Sequence, residues 1–133
     1  MILLDTNICI YVINARPTQV LARFKQHRLG DIGVSSVVAA ELAFGVAKSG
    51  SVRNRQALEM FLAPLVMLPF DDAAVWVYGT LRAELERSGT PIGALDTLIA
   101  AHALSQQAQL VTHNTREFAQ VPGLQLVDWA AAS

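Results

Sequence analysis

Three carboxylates stand out in this sequence because of the company they keep. Asp5 follows directly on the apolar run Met1–Leu4, Glu41 sits inside VVAAELAFGV, and Asp96 lies at the start of GALDTLIAAHAL. An ionised carboxylate among such neighbours is costly to bury unless it meets a cation, a metal or several donors. Each also has an ordinary explanation: Asp5 as a helix cap, Glu41 on an exposed helical stripe, Asp96 as a first-turn charge favoured by the helix dipole. Thr6 can cap in place of Asp5 and free that carboxylate. With Asn114, the three acids make an oxygen-rich set without thiolates. Such a set selects a hard cation, Mg²⁺ or Mn²⁺, over zinc. His27, His102 and His113 lack the paired spacing of a zinc site and read as structural or surface residues.

The elements that would position these groups alternate in type. Met1–Leu4 reads as a buried strand followed by the capping residues Asp5, Thr6 and Asn7. Ile32–Val34 repeats the unit, with Ser35 and Ser36 as caps and a helix over Val37–Lys48 closed by Gly50. Leu65–Phe70 opens a third unit, capped by Asp71 and Asp72. Its helix carries Ala74, Tyr78, Leu81 and Leu85 at helical spacing and stops at Gly89, before Pro91. A further helix is expected over Ala94–Gln107 and a short strand over Leu110–Thr112, with additional helices near 17–28 and 52–63. Strands alternating with amphipathic helices predict an α/β fold with a mostly parallel sheet covered on both faces. Right-handed crossovers place every strand's carboxyl end on one edge, where ligands of such sheets bind. Asp5, Ser35, Asp71 and the Thr112–Asn114 stretch fall there.

Composition narrows the function classes. A chain of 133 residues with 53% hydrophobic and 16% charged residues is expected to be one globular domain, 1–133. Ten basic against eleven acidic residues leave a net charge of -1, so any attraction to nucleic acid must be local. Arg16, Arg23, Lys25 and Arg28 form a stretch with no acid between them, a candidate RNA contact or simply a solvated helix face. The single Cys9 between Ile8 and Ile10 reads as a small buried hydrophobe, and with no signal-peptide pattern or membrane-length apolar run a cytoplasmic location is expected. The chain has no P-loop, no G-x-G-x-x-G, no G-x-S-x-G and no C-x-x-C. A receiver-type phosphoacceptor would need a carboxylate pair after the first strand and a lysine after the last. A dehalogenase-like phosphatase would need a second aspartate where Asn7 stands.

Four ordered stretches resemble the motifs of the PIN-domain family, and specifically the VapC-like toxins of bacterial toxin–antitoxin modules: LLDTNICIY, AAELAFGVAKS, GTPIGALDTLIAAHAL and LVTHNTREFAQVPGLQLVDW. The resemblance runs almost end to end. It implies a single-domain, three-layer α/β/α sandwich and a metal-dependent endoribonuclease, with Asp5, Glu41 and Asp96 as metal-binding acids. Asn114 stands where many relatives carry a further aspartate, and His113 where close relatives commonly have Asn. The neutral Asn114 lowers the expected charge of the pocket and favours one well-held metal. Thr112 is implied to orient a ligand or water. The family further implies a homodimer, Mg²⁺ with Mn²⁺ as substitute, and an antitoxin whose C-terminal segment covers the active site and whose other half binds operator DNA. Initiator tRNA, cut in the anticodon stem-loop, is the implied substrate and translation the target. A catalytically silent module that only binds RNA or protein is the alternative, against which the intact acidic trio argues.

Overall fold

The computed structural model describes residues 1–131. Its first unit is β1 (Ile2–Leu4), α1 (Thr6–Asn14), α2 (Thr18–Lys25) and one turn of 3₁₀ helix (Leu29–Asp31). The second is β2 (Ile32–Ser35), α3 (Ser36–Ser49) and α4 (Val52–Leu62), and the third β3 (Val66–Leu68), α5 (Asp72–Arg87) and α6 (Ala94–Ser105). The chain closes with β4 (Gln109–Val111), α7 (Thr115–Phe118) and β5 (Leu126–Val127). The expected elements are all present. The expected 65–70 strand shortens to three residues because Pro69, which has no N–H to donate, follows Leu68. β4 ends one residue before Thr112, and neither β5 nor α7 is visible in the hydrophobic pattern, each being too short to carry a period.

All five strands are parallel, in the order β3-β2-β1-β4-β5. Right-handed crossovers put α1 to α4 on one face and α5 to α7 on the other, the expected three layers. Within this sandwich α1 packs against α2, α3 and α4, and α5 packs along α6. The strands are short and buried on both faces, which is why they read as continuous apolar runs. Leu3, Leu4, Ile32, Val34, Leu110 and Val111 form the centre of the core. Cys9 is fully buried within it, and burial pushes its thiol well above the ordinary range, as suits an unreactive packing group. No helix among the described residues is long and apolar enough to cross a membrane.

Caps fix where the helices begin. Ser35, Ser51 and Asp71 each accept a backbone N–H of the first turn at 3.1 Å. Gly50 closes α3 at a φ of +64°, a value that favours glycine. Gly33 answers a different need: a Cβ on it would stand 2.8 Å from Leu3 Cδ2 and 2.9 Å from Met1 Sδ. The glycine leaves room for these two side chains over β2, and the parallel register of β1 and β2 sets Asp5 beside Ser35. Gly33→Ala is therefore expected to cost about 1–3 kcal/mol through overpacking. Denaturant unfolding measures it, and a variant as stable as wild type contradicts the close approach.

Candidate active site at the carboxyl edge of the sheet

Asp5, the first residue beyond β1, is buried, and its backbone N–H bonds to Val111 O at 3.0 Å. Its Oδ1 accepts the Ile8 N–H at 2.9 Å, so Asp5 caps α1 itself. The cap reading of Asp5 holds, and Thr6, the other residue able to cap, turns its hydroxyl to Glu41 and donates to its Oε1 at 3.0 Å. Thr112 is fully buried just past β4. Its Oγ1 accepts the Asn114 N–H at 3.0 Å, which leaves the hydroxyl proton for Asp5, to which Thr112 also bonds. Burial still outweighs these two hydrogen bonds, and the nearby charges of Glu41 and Asp128 add to it, so the Asp5 carboxyl is raised above its usual range.

Asp96 lies in the first turn of α6 and is half-buried. Its pKa is raised to about 7, first by burial, then by a hydrogen bond and repulsion from Glu117 and by the charges of Asp5 and Glu41. Glu117 on α7 moves the opposite way. The Gly93 N–H, 2.8 Å from Oε1, holds it below the usual carboxylate range, with help from Asp96 and from the Asn114 amide. Asp96 and Glu117 thus share one proton near neutral pH, and Glu117 carries more of the negative charge.

The structure therefore brings the three expected acids within electrostatic reach of one another and adds two more, Glu117 and Asp128. Asp128 follows β5 and accepts from Ala130 N at 2.8 Å, while His113 Nδ1 lies 3.0 Å from its Oδ2. The donor set is all oxygen. Among the described residues, no three His, Cys, Asp or Glu side chains close on one point as a ready-made cage. Such an open arrangement fits a hard cation that keeps several waters and takes few carboxylates, as Mg²⁺ does. Asp5, Asp96 and Glu41 are the residues that could hold such a cation.

Comparison with known proteins was decisive. A family model for the PIN domain matches residues 2–124. The chain belongs to the PIN-domain family. Within it, the chain is 42% identical to the protein named Ribonuclease VapC2 of Rickettsia felis, over 96% of each chain. It is 43% identical to the tRNA(fMet)-specific endonuclease VapC of Shigella flexneri, over 96% of this chain and 97% of that one. Among solved structures, the Rickettsia felis VapBC2 complex bound to a promoter DNA fragment contains a chain that superposes with a TM-score of 0.90 at 42% identity. That match covers 97% of this chain and 99% of the other. The DNA-bound VapBC of Salmonella typhimurium gives 0.89 at 38% identity, over 98% and 100%.

Seen as a PIN domain, the site differs from the sequence expectation in two places. Asn114 was expected to leave the pocket short of a negative charge. Instead its amide donates to Glu117, which a carboxylate at 114 could not do, and Glu117 supplies the acid three residues later. That i, i+3 spacing within THNTREF was the available signal. Asp128 follows an apolar LQLV run just as Asp5 follows its own strand. Two histidines make packing contacts and the third, His113, lies exposed against Asp128. His102 is fully buried with Nδ1 2.7 Å from the Ser35 hydroxyl, tying α6 to the start of α3, and His27 stacks on Trp129 with ring centroids 5.3 Å apart.

The basic stretch lies on and around α2. Arg28 immediately precedes the 3₁₀ turn that leads into β2, whose first residue pairs with Ile2 at the start of β1. It therefore sits at the amino-end edge of the sheet, opposite Asp5. Arg16, Arg23 and Lys25 are exposed on and beside α2, which contacts α1 and, through Gln19 Nε2 and Ala130 O at 3.1 Å, the C-terminal segment.

The raised Asp96 makes the metal-free domain sensitive to pH with a definite sign. A carboxyl with a higher pKa folded than unfolded holds its proton better in the folded state, so its contribution is complete below about 4 and is lost as pH rises through about 7. In EDTA, Asp96→Asn should melt a few degrees above wild type at pH 8, with the gap closing by pH 5. Mn²⁺ should raise the melting temperature of wild type at pH 8 and leave the variant unmoved. Thermal unfolding followed by circular dichroism checks both, and parallel pH curves for the two proteins contradict the assignment.

Proposed function

We propose that this chain is a divalent-metal-dependent endoribonuclease and the toxin of a toxin–antitoxin pair, with initiator tRNA as substrate and arrest of translation as the result. The single observation that carries the reading is the mutually repelling set of carboxylates, Asp5, Glu41, Asp96 and Glu117, on the carboxyl edge of a parallel sheet. Relatives covering almost the whole chain are named ribonuclease or tRNA(fMet)-specific endonuclease. A hard dication held by Asp5 and Asp96, with Glu41 directly or through water, supplies charge neutralisation at the phosphate and an acidified water.

The chain's own residues do the rest. The Ile8 N–H and the Thr112 hydroxyl fix the Asp5 carboxylate in one orientation, and Thr6 does the same for Glu41. The proton held by Asp96 beside Glu117 in the metal-free site can be released as positive charge arrives, and Glu117, which is not among the ligands named above, leaves a carboxylate at this edge that could accept the proton of the attacking water. Attack by water, not by the ribose 2′-OH, leaves a 5′-phosphate and a 3′-hydroxyl.

The antitoxin and the homodimer follow the same family reading. The solved neighbours are VapBC complexes. In this chain a groove lined by Ile10, Ile13, Leu42 and Val46 opens beside Glu41, an apolar surface on which an antitoxin segment can lie as it crosses the acids. Operator DNA would then be met through the antitoxin. Arg16, Arg23, Lys25 and Arg28, on and around α2, are exposed and remain candidates for holding RNA outside the carboxylate cluster.

Incubating the purified protein with an initiator tRNA transcript and Mg²⁺ or Mn²⁺ should give one dominant cut with 3′-hydroxyl ends. EDTA should abolish it. Asp5→Asn, which preserves the α1 cap, and Asp96→Asn should each lower the rate by about a hundredfold or more, as expected for loss of a ligand. Cleavage that survives EDTA, or 2′,3′-cyclic phosphate ends, would sink the metal-hydrolysis reading.

A further inference from the structure

A cleft of about 370 Å³ opens directly beside Glu117, between the Gly89–Ile92 turn and α7. Its two walls are built before any ligand arrives. Gly89 adopts a φ of +68°, and the Thr90 N–H returns to Leu85 O at 2.9 Å, so the turn is pinned to the end of α5. The Gly93 N–H bond to Glu117 then ties the turn to α7. Glu117, bonded to the first residue before the helix that carries Asp96, thus lines the cleft and ties its two walls together.

The lining has the chemistry of a nucleotide site. Pro91 and Ile92 offer an apolar surface for the face of a base, while Thr90 and Gln120 bring hydrogen-bonding side chains that have no partner among the described residues. Arg116 lies on the same rim, exposed. Two of the other arginines are engaged, Arg55 with Glu59 at 2.8 Å and Arg82 with Glu86 at 3.2 Å and with Tyr78, and none of the remaining lysines and arginines lines this cleft. Arg116 makes no ion pair among the described residues and stands one residue from Glu117, where a polyanion approaching the repelling acids needs a counter-charge. The volume lies within the range of small-ligand sites, on the order of 300 to 1,000 Å³.

We propose that this cleft is the subsite for the RNA nucleotide adjoining the scissile phosphate, with its base against Pro91 and Ile92 and beside Gln120, and its phosphate on Arg116. The proposal rests on the ribonuclease reading above and adds the residues that seat the strand next to the cut. It assigns the cation at the catalytic edge to α7, in place of the basic stretch around α2.

The test uses the full chain with the Asp5→Asn background, so that nothing is cut, and an initiator tRNA transcript as probe. Arg116→Ala should weaken binding about tenfold and reduce the dependence of log affinity on log salt by about 0.7, the value for one lost phosphate contact on a single-stranded segment. Gln120→Trp, which fills the cleft without changing charge, should weaken binding to a similar extent with the salt slope unchanged. In the active chain both substitutions should raise KM far more than they lower kcat, and Arg116→Lys should restore part of the loss. Both sites are exposed, and circular dichroism confirms folding of each variant. Affinity and salt slope equal to the parent's in both variants, beside intact cleavage by wild type, overturn the subsite alone. A wild type that leaves the transcript whole overturns the substrate reading, and the subsite with it.

Discussion

Repulsion between carboxylates crowded at one end of a parallel sheet is the constraint on which the rest of this structure depends. Asp5, Glu41, Asp96 and Glu117 come from four separate stretches of chain, and Asp5, Glu41 and Glu117 each raise the cost of ionising Asp96. The fold tolerates this by spending ordinary structural interactions on holding the charges in place. Asp5 doubles as the cap of α1, Thr6 in the first turn of α1 serves Glu41, and Glu117 takes the Gly93 N–H at the start of α6. Where those donors do not suffice, a proton remains, on the Asp96–Glu117 pair. A cation completes what the hydrogen bonds only begin.

The parallel sheet is what makes such crowding possible. With all strands running one way, every strand ends on the same edge, and the residue after each strand is delivered there regardless of its distance in sequence. Gly33 leaves room for the Leu3 and Met1 side chains over β2, and the buried His102–Ser35 hydrogen bond joins the helix that carries Asp96 to the start of the helix that carries Glu41. These contacts lie in the core or just above it, away from solvent. The positions of the acids are therefore inherited from packing and do not depend on flexible loops.

Much of this was legible in the sequence, for identifiable reasons. Asp5, Glu41 and Asp96 showed themselves because apolar neighbours on both sides made their charge conspicuous, and the strand and helix signals were long enough to place them on one edge. Glu117 and Asp128 were missed because α7 has four residues and β5 two, too few for any periodicity to mark the residues beside them as strand-end groups. Asn114 was read for the charge it lacks, and the sequence did not show that its amide also donates to Glu117. The basic stretch around α2 was visible as composition, but composition carries no information on which edge of the sheet a helix serves. The choice between Asp5 and Thr6 as cap stayed open in the sequence because two capping residues in succession leave it to tertiary partners, here Glu41.

Calorimetric titration of the chain with Mn²⁺ at pH 6.5 or thereabouts, in buffers of differing ionisation enthalpy, tests the central claim most directly. If the acids form one repelling site that holds a proton until a cation arrives, binding must release a fraction of a proton near neutral pH, and the release must shrink at pH 8 and disappear in Asp96→Asn. Binding with no proton released at either pH, or release unchanged in Asp96→Asn, would contradict the account.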